Sequence, residues 1–318
     1  MRESALYCLC MLRYYAKKSF NEDPQLVKDA PMDRAWVYGS SVTEKELLHL
    51  AELYNLDTGV LKDVRDANEL PRAEFSQGHL YVFIRAPHQT SRGNVATTPF
   101  LAVLKGSLLI TLSSKEYVKP EDLFEYTKVD MKSTKHVFLQ LTEFVISRYE
   151  VLIHSTGKYV HSTEHRLRSH EVDNKDFINF VTVEHDLNEY HTNLTALKAL
   201  LERLCDNRHA LFSEKDCEHI DDMILHTGQL LVAANSHRST VDSIRSAYTT
   251  ISNNTLNQRM KKLTLLTLLV ALPNVFFGMY GMNVTLPYAE APWAYAAITS
   301  FSIGLVFIIA LFIRKIRF

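Results

Sequence analysis

Asn253, Asn257, Met260, Thr264, Thr267, Ala271, Asn274 and Gly278 follow one another at steps of 4, 3, 4, 3, 4, 3 and 4. That alternation keeps one side of a helix turned toward the axis of a left-handed bundle. The residues on this stripe are small or neutral and polar, while Leu265, Leu266, Leu268, Leu269, Val270, Val275 and Phe276 fill the rest of the segment. An amide such as Asn274 left unsatisfied in hydrocarbon is costly, so the stripe must meet protein or water. Two arrangements satisfy it: a packing seam between two chains, or a water-lined pore made by several copies. Other candidate chemistry is thin. Walker loop, nucleophile elbow and Rossmann fingerprint are all missing from the sequence, so neither an enzyme nor an ATP-driven pump is expected and no organic cofactor is implied. His154, His161, His165, His170, His185 and His191 do not form the metalloprotease pattern and are read as surface residues able to bind transition metals weakly. Cys8 and Cys10 are two apart, which on a strand puts them on one face. With no further ligands at zinc-site spacing, they and Cys205 and Cys217 read as buried free thiols.

The elements that must carry the stripe are equally plain. Leu263 to Tyr280 is a run of 18 residues without a charge, and Trp293 to Ile313 a run of 21. Each is near the length of about 20 residues that crosses a bilayer core as helix. Arg259, Lys261 and Lys262 precede the first run; Arg314, Lys315 and Arg317 follow the second; Gly281 to Pro292 has neither Lys nor Arg. The positive-inside rule then puts both chain ends in the cytoplasm and the connecting loop outside, a multi-pass topology in the cell's inner (plasma) membrane. Tyr280, Tyr288, Trp293 and Tyr295 gather at the outer boundary, where amphipathic rings are favoured. One chain has too few spans to enclose a conduit, so a pore requires a homo-oligomer about a symmetry axis.

Ahead of the spans lies an acidic hydrophilic body. Of the chain's 36 acids and 35 bases, residues 1–242 hold 35 and 28, a net charge of −7. That balance argues against a nucleic-acid partner. Charges interrupt Met1 to Lys18, which is not expected to act as a signal peptide. Leu6–Arg13, Ala35–Tyr38, His79–Ala86, Phe100–Leu104 and Leu108–Leu112 read as strands, with a hairpin at Lys105-Gly106. Thr43–Leu56 reads as a helix capped by Ser41 or Thr43. Helical periods dominate from Lys132 to about Glu171 and from Asn174 to Asp206. From about Leu211 to Tyr280 the only breakers are Gly228, Pro273 and Gly278, so one helix of roughly 70 residues and about 100 Å is expected to run from body to membrane.

The first span ends in Tyr280-Gly281-Met282-Asn283. A Gly-Met-Asn tripeptide at the outer end of the first of two C-terminal spans, followed by a basic tail, resembles the signature of the CorA magnesium transporter family. The resemblance extends to Leu61-Lys62-Asp63-Val64, Pro71-Arg72-Ala73-Glu74-Phe75 and Tyr81-Val82-Phe83-Ile84, though Lys62 stands where family members often have an acid. It implies an α+β cytoplasmic domain with a long stalk helix and two C-terminal transmembrane helices, in a funnel-shaped homo-oligomer, a pentamer in that family. Gly281, Met282 and Asn283 would form the selectivity filter. Asn257, Met260, Leu263, Asn274 and Gly278 would line the pathway, and Asp63 and Asp222 would share a regulatory Mg2+ between subunits. Mg2+ would then be both transported and regulatory ion, entering passively with the membrane potential.

A ring of Asn283 amides suits an ion that sheds its water reluctantly, because it ligates without a fixed charge and so allows release. Glu290 is the only charge of the outer loop, and Val284-Thr285-Leu286-Pro287-Tyr288 departs from the acidic loop common in magnesium-conducting members. Leu263 would form a hydrophobic constriction, and Arg314, Lys315 and Arg317 a basic cytoplasmic mouth. The expected segments are an N-terminal domain over 1–130, long helices over 131–262, spans over 263–282 and 293–313, a loop over 283–292 and a tail over 314–318. Co2+ or Ni2+ passage, a proton-coupled zinc transporter of the same fold, and a membrane-tethered sensor or scaffold are the competing readings. Lipid, divalent cations and further copies of the chain are the implied partners.

Overall fold

The computed structural model describes residues 12–16, 25–27, 30–91, 93–116, 118–129, 133–168, 174–206, 210–282 and 291–315. The chain divides into two compact units, Met1–Ile244 and Arg245–Phe318. The first is built on a seven-stranded mixed sheet. Its strands are β1 (Leu12–Ala16), β2 (Gln25–Val27), β3 (Ala35–Ser40), β4 (Arg72–Ser76), β5 (His79–Gln89), β6 (Val95–Lys105) and β7 (Leu108–Ser113), in the order β2-β1-β3-β7-β6-β5-β4. Only β3 and β7 pair in parallel; every other neighbour is antiparallel.

Side chains alternate across this sheet with period two, and both faces are covered. Ala35, Val37, Tyr81, Phe83, Leu101, Val103, Leu108 and Ile110 turn to one core, shared with α1 (Glu44–Tyr54) and α2 (Thr58–Asp63). Trp36, Tyr38, Leu80, Val82, Ile84, Phe100, Ala102 and Leu109 turn to the other. That second core is completed by α3 (Pro120–Tyr126), α4 (Thr134–Arg168), α5 (Asn174–Cys205) and the first part of α6 (Glu214–Tyr280). Burying so continuous a two-faced sheet explains why its central strands read as near-unbroken apolar runs.

Polar contacts lock the helices to the sheet. The buried Tyr149 hydroxyl of α4 donates to the Arg85 carbonyl at 3.0 Å, and the Val95 N–H donates to Asp186 of α5 at 3.0 Å. Trp36 Nε1 donates to Thr111 Oγ1 at 2.8 Å across the parallel pair. Thr43 rather than Ser41 caps α1, in a capping box with Glu46. The Gly106-Ser107 loop joins β6 to β7 with positive φ at Gly106, the pattern of a type II′ turn. Gln77 and Gly78, both at positive φ, turn β4 into β5.

Of the expected strand Leu6–Arg13, residues 6–11, with Cys8 and Cys10, lie outside the described residues; the described strand covers Leu12 and Arg13 and runs on to Ala16. Four short elements went unforeseen: β2, β4, α2 and α3. In the second unit, α6 continues to Tyr280 through Pro273, and α7 (Ala294–Lys315) packs beside it, with Phe276 against Phe301 edge to face at 5.4 Å. Both helices are long and apolar enough to cross a membrane.

Candidate functional site

Which side of α6 meets α7 decides what its polar stripe can do. Leu265, Leu269, Leu272, Pro273 and Phe276 are half-buried, while Asn253, Asn257, Met260, Leu263, Thr264, Thr267, Ala271, Asn274 and Gly278 are all exposed. At about 100° per residue, the two sets are centred roughly 160° apart around the helix. Within one chain, then, α7 covers the apolar side and leaves the stripe open. An exposed surface this long and apolar between its polar positions is stable only against lipid or other copies of the helix.

The hydroxyls of Thr264 and Thr267 donate to the carbonyls of Met260 and Leu263, each at 2.9 Å. Their protons are therefore committed to the backbone, and the oxygen lone pairs remain for an outside donor or cation. The stripe thus offers acceptors of low charge, arranged along one line.

At the far end of α6 the Gly281 N–H donates to the Phe277 and Gly278 carbonyls at 3.0 and 3.2 Å. Gly281 is not at positive φ, so a left-handed backbone is not what calls for glycine here. A tighter reason appears instead: a Cβ there would lie 3.3 Å from the Phe277 carbonyl oxygen. Met282 is exposed; Asn283 and Glu290 lie outside the described residues, as does Arg317. Arg314 and Lys315 fall in the last turn of α7.

Asp63 and Asp222, the carboxylates expected to share a regulatory ion, sit in different settings. Asp63, the last residue of α2, accepts from Arg72 Nη2 at 2.6 Å. Arg72 also binds Glu69 at 2.6 Å and Glu74, and stacks over Phe83 at 4.8 Å. Burial works against the guanidinium charge, but the hydrogen bonds it donates to Glu69 and Glu74 outweigh it and raise its pKa. Lys62 and Arg65 pair with Glu44 on the same side of the fold. Asp63 is therefore already partly neutralised by a fixed cation. Asp222 is exposed on α6, one residue after Asp221, which accepts from the Cys205 thiol at 3.2 Å. Burial, then Asp221, pushes that thiol up to about 11, so it is inert as a nucleophile.

One row of residues escaped the sequence reading. Glu143 meets His219 at 3.1 Å, Glu150 meets His226 at 3.4 Å, and the ring of His161 meets that of His237 at 5.8 Å between centroids. Each α4 residue is offset from its α6 partner by 76. The two helices therefore run side by side in the same direction with a ladder of imidazoles between them. Burial, then the nearby His161 and His154, lowers the pKa of His237. The signal was available: Glu143 and Glu150, like His219 and His226, are seven apart. Among the described residues no three His, Cys, Asp or Glu side chains are grouped to hold a metal ion.

A family model for the CorA-like Mg2+ transporter protein matches residues 33–315. The chain belongs to this CorA-like family. One relative, the cobalt/magnesium transport protein CorA of Methanocaldococcus jannaschii, is 23% identical over 290 residues, covering 88% of this chain and 90% of its own. The complete structure of the CorA magnesium transporter from the same organism superposes with a TM-score of 0.85 at 19% identity, over 97% of this chain and 98% of that one. The cytoplasmic domain of ZntB from Vibrio parahaemolyticus shares the fold more distantly. Its TM-score is 0.54 at 8% identity, over 78% of this chain and 98% of the domain. The CorA fold, with its mixed sheet, long helix and two C-terminal apolar helices, is thus the architecture of this chain.

Proposed function

We propose that several copies of this chain assemble around the α6 stripe and conduct Mg2+, with Co2+ and Ni2+ as secondary ions, passively into the cell under the membrane potential. The observation that carries the reading is the line of exposed, neutral oxygen acceptors on a membrane-length helix, turned away from α7. Mg2+ holds its water tightly and demands near-octahedral oxygen geometry. Acceptors such as Thr264, Thr267 and Asn274 can hydrogen-bond that shell without stripping it, and weak binding at successive sites favours throughput. Asn283, with Gly281 and Met282, forms the entry ring, and Glu290 raises the local cation concentration. Asn253, Asn257, Met260, Ala271 and Gly278 line the remaining path, with Leu263 as its dry constriction and Arg314, Lys315 and Arg317 at the cytoplasmic mouth. The number five for the assembly, its funnel shape and the cytoplasmic placement of both termini rest on family resemblance and on the basic flanks.

Cytoplasmic Mg2+ shared by Asp63 of one copy and Asp222 of the next offsets their repulsion and holds the pathway closed. Arg72 competes for Asp63 and so weakens this hold. The test is potential-driven Mg2+ entry into proteoliposomes, read by an enclosed dye, for the wild type and Asn274→Leu. Loss of entry in the variant supports the pathway; equal entry removes the stripe from it. A zinc-carrying variant of the same fold is the second reading, favoured by the single carboxylate of the outer loop. Zn2+ entry that follows a pH gradient without Mg2+ entry would establish it instead.

A further inference from the structure

The imidazoles between α4 and α6 play no part in the pathway just described. His154, Gly157 and His161 lie at steps of three and four on α4, so they share one face. His237 of α6 is seated in the middle of that face. A Cβ at Gly157 would stand 2.4 Å from its Nε2 and 2.6 Å from its Cε1, so the missing side chain is what admits the ring. The His161 and His237 rings are 5.8 Å apart and nearly perpendicular, at 88°. Two imidazoles on one tetrahedral ion, with bonds of about 2.0–2.1 Å, put their centroids roughly 5–6 Å apart. Glu164 Oε2 stands 3.6 Å from His161 Nδ1. That is an ion-pair distance rather than a hydrogen bond; with the carboxylate on the Nδ1 side, Nε2 is the ring nitrogen placed to ligate a metal.

We propose that His161 and His237 form a site for a transition-metal cation of the Zn2+, Ni2+ or Co2+ class, bridging α4 to α6, with water completing its coordination. Imidazole nitrogens select such ions, whereas Mg2+ requires oxygen. Two protein ligands make a site of modest affinity, suited to sensing rather than permanent loading. Because α6 also carries the stripe, an ion here ties the position of that helix to transition-metal supply, separately from Mg2+. The inference stands whichever ion is conducted.

The test titrates the full-length protein in detergent with Co2+, read by its visible absorption, and with Zn2+ by calorimetry, both in excess Mg2+. The wild type should bind one ion per chain outside the oxygen-lined sites. His161→Ala and His237→Ala should each weaken that ion roughly tenfold or more, and Glu164→Gln should do so less. Gly157→Ala keeps both ligands yet displaces His237, and should weaken it too. His161 is well exposed, with 65% of its side chain accessible, so His161→Ala keeps its fold and decides the matter if His237→Ala does not. Unchanged binding in His161→Ala would overturn the proposal. Loss of binding in His165→Ala alongside normal binding in His237→Ala would also overturn it, since the site would then lie within α4.

Discussion

Gly278 offers a substitution whose effect on the single chain and on an assembly should be opposite. A Cβ at this position meets nothing within 4 Å. The Cβ of Gly278→Leu therefore meets open space within the chain, and removing an exposed helical glycine gains about 1 kcal/mol of helix propensity. If the stripe faces a symmetry axis, however, each copy projects its leucine into the same cross-section. A hydrophobic ring there displaces the water that a hydrated ion needs. A barrier raised by only about 1.4 kcal/mol already reduces flux tenfold, so Mg2+ entry should fall by at least that factor. Dye-reported flux in proteoliposomes gives the rate, and light scattering on the detergent-solubilised protein gives the assembly size. Lost flux with an unchanged assembly is the expected result. Lost assembly would make the stripe a packing seam, and unchanged flux with unchanged assembly would refute the axial placement altogether.

Three further outcomes follow from the contacts. Arg72→Gln frees Asp63 from its 2.6 Å ion pair, so a lower internal Mg2+ concentration should suffice to stop flux; an unchanged inhibition curve would remove Asp63 from the regulatory site. Tyr149→Phe deletes the buried hydrogen bond to the Arg85 carbonyl and should cost about 1–2 kcal/mol in denaturant unfolding of the detergent-solubilised protein. His88 is buried, and burial, the largest effect, lowers its pKa below the usual 6.5. As pH falls through that value, the unfolded chain takes up the proton first. The contribution of His88 is then full above about 6.5 and lost as pH falls toward its folded pKa. The wild type should lose thermal stability on acidification in this range more steeply than His88→Gln, and parallel curves would contradict the assignment.

Long periodic elements and their ends were legible in the sequence, because a stripe or an unbroken run needs no partner to be seen. Asn174 starts α5, Tyr280 ends α6, and Thr43 caps α1, as expected from pattern and cap chemistry. The six residues of α2 and three of β2 are too short to show a period, and β4 is a charged edge strand following Pro71. Asp63 gained Arg72 as a partner, nine residues away and invisible until β4 folds back beside α2. Likewise the histidines of α4 looked like scattered surface residues. Only the parallel alignment of two helices 76 residues apart set His161, together with Glu143 and Glu150, against the imidazoles of α6. The stripe itself was read from spacing, but that α7 leaves it uncovered depends on which side Phe276 presents to Phe301.

We propose that a ring of neutral Asn283 amides admits a hydrated divalent cation. This is tested most directly by potential-driven uptake into proteoliposomes, with Mg2+, Co2+, Ni2+ and Zn2+ offered in turn to the wild type and to Asn283→Ala. Mg2+ entry should require an inside-negative potential, need no pH gradient, and be lost in Asn283→Ala. Mg2+ entry that persists in Asn283→Ala, or an absence of Mg2+ entry in the wild type, would contradict it.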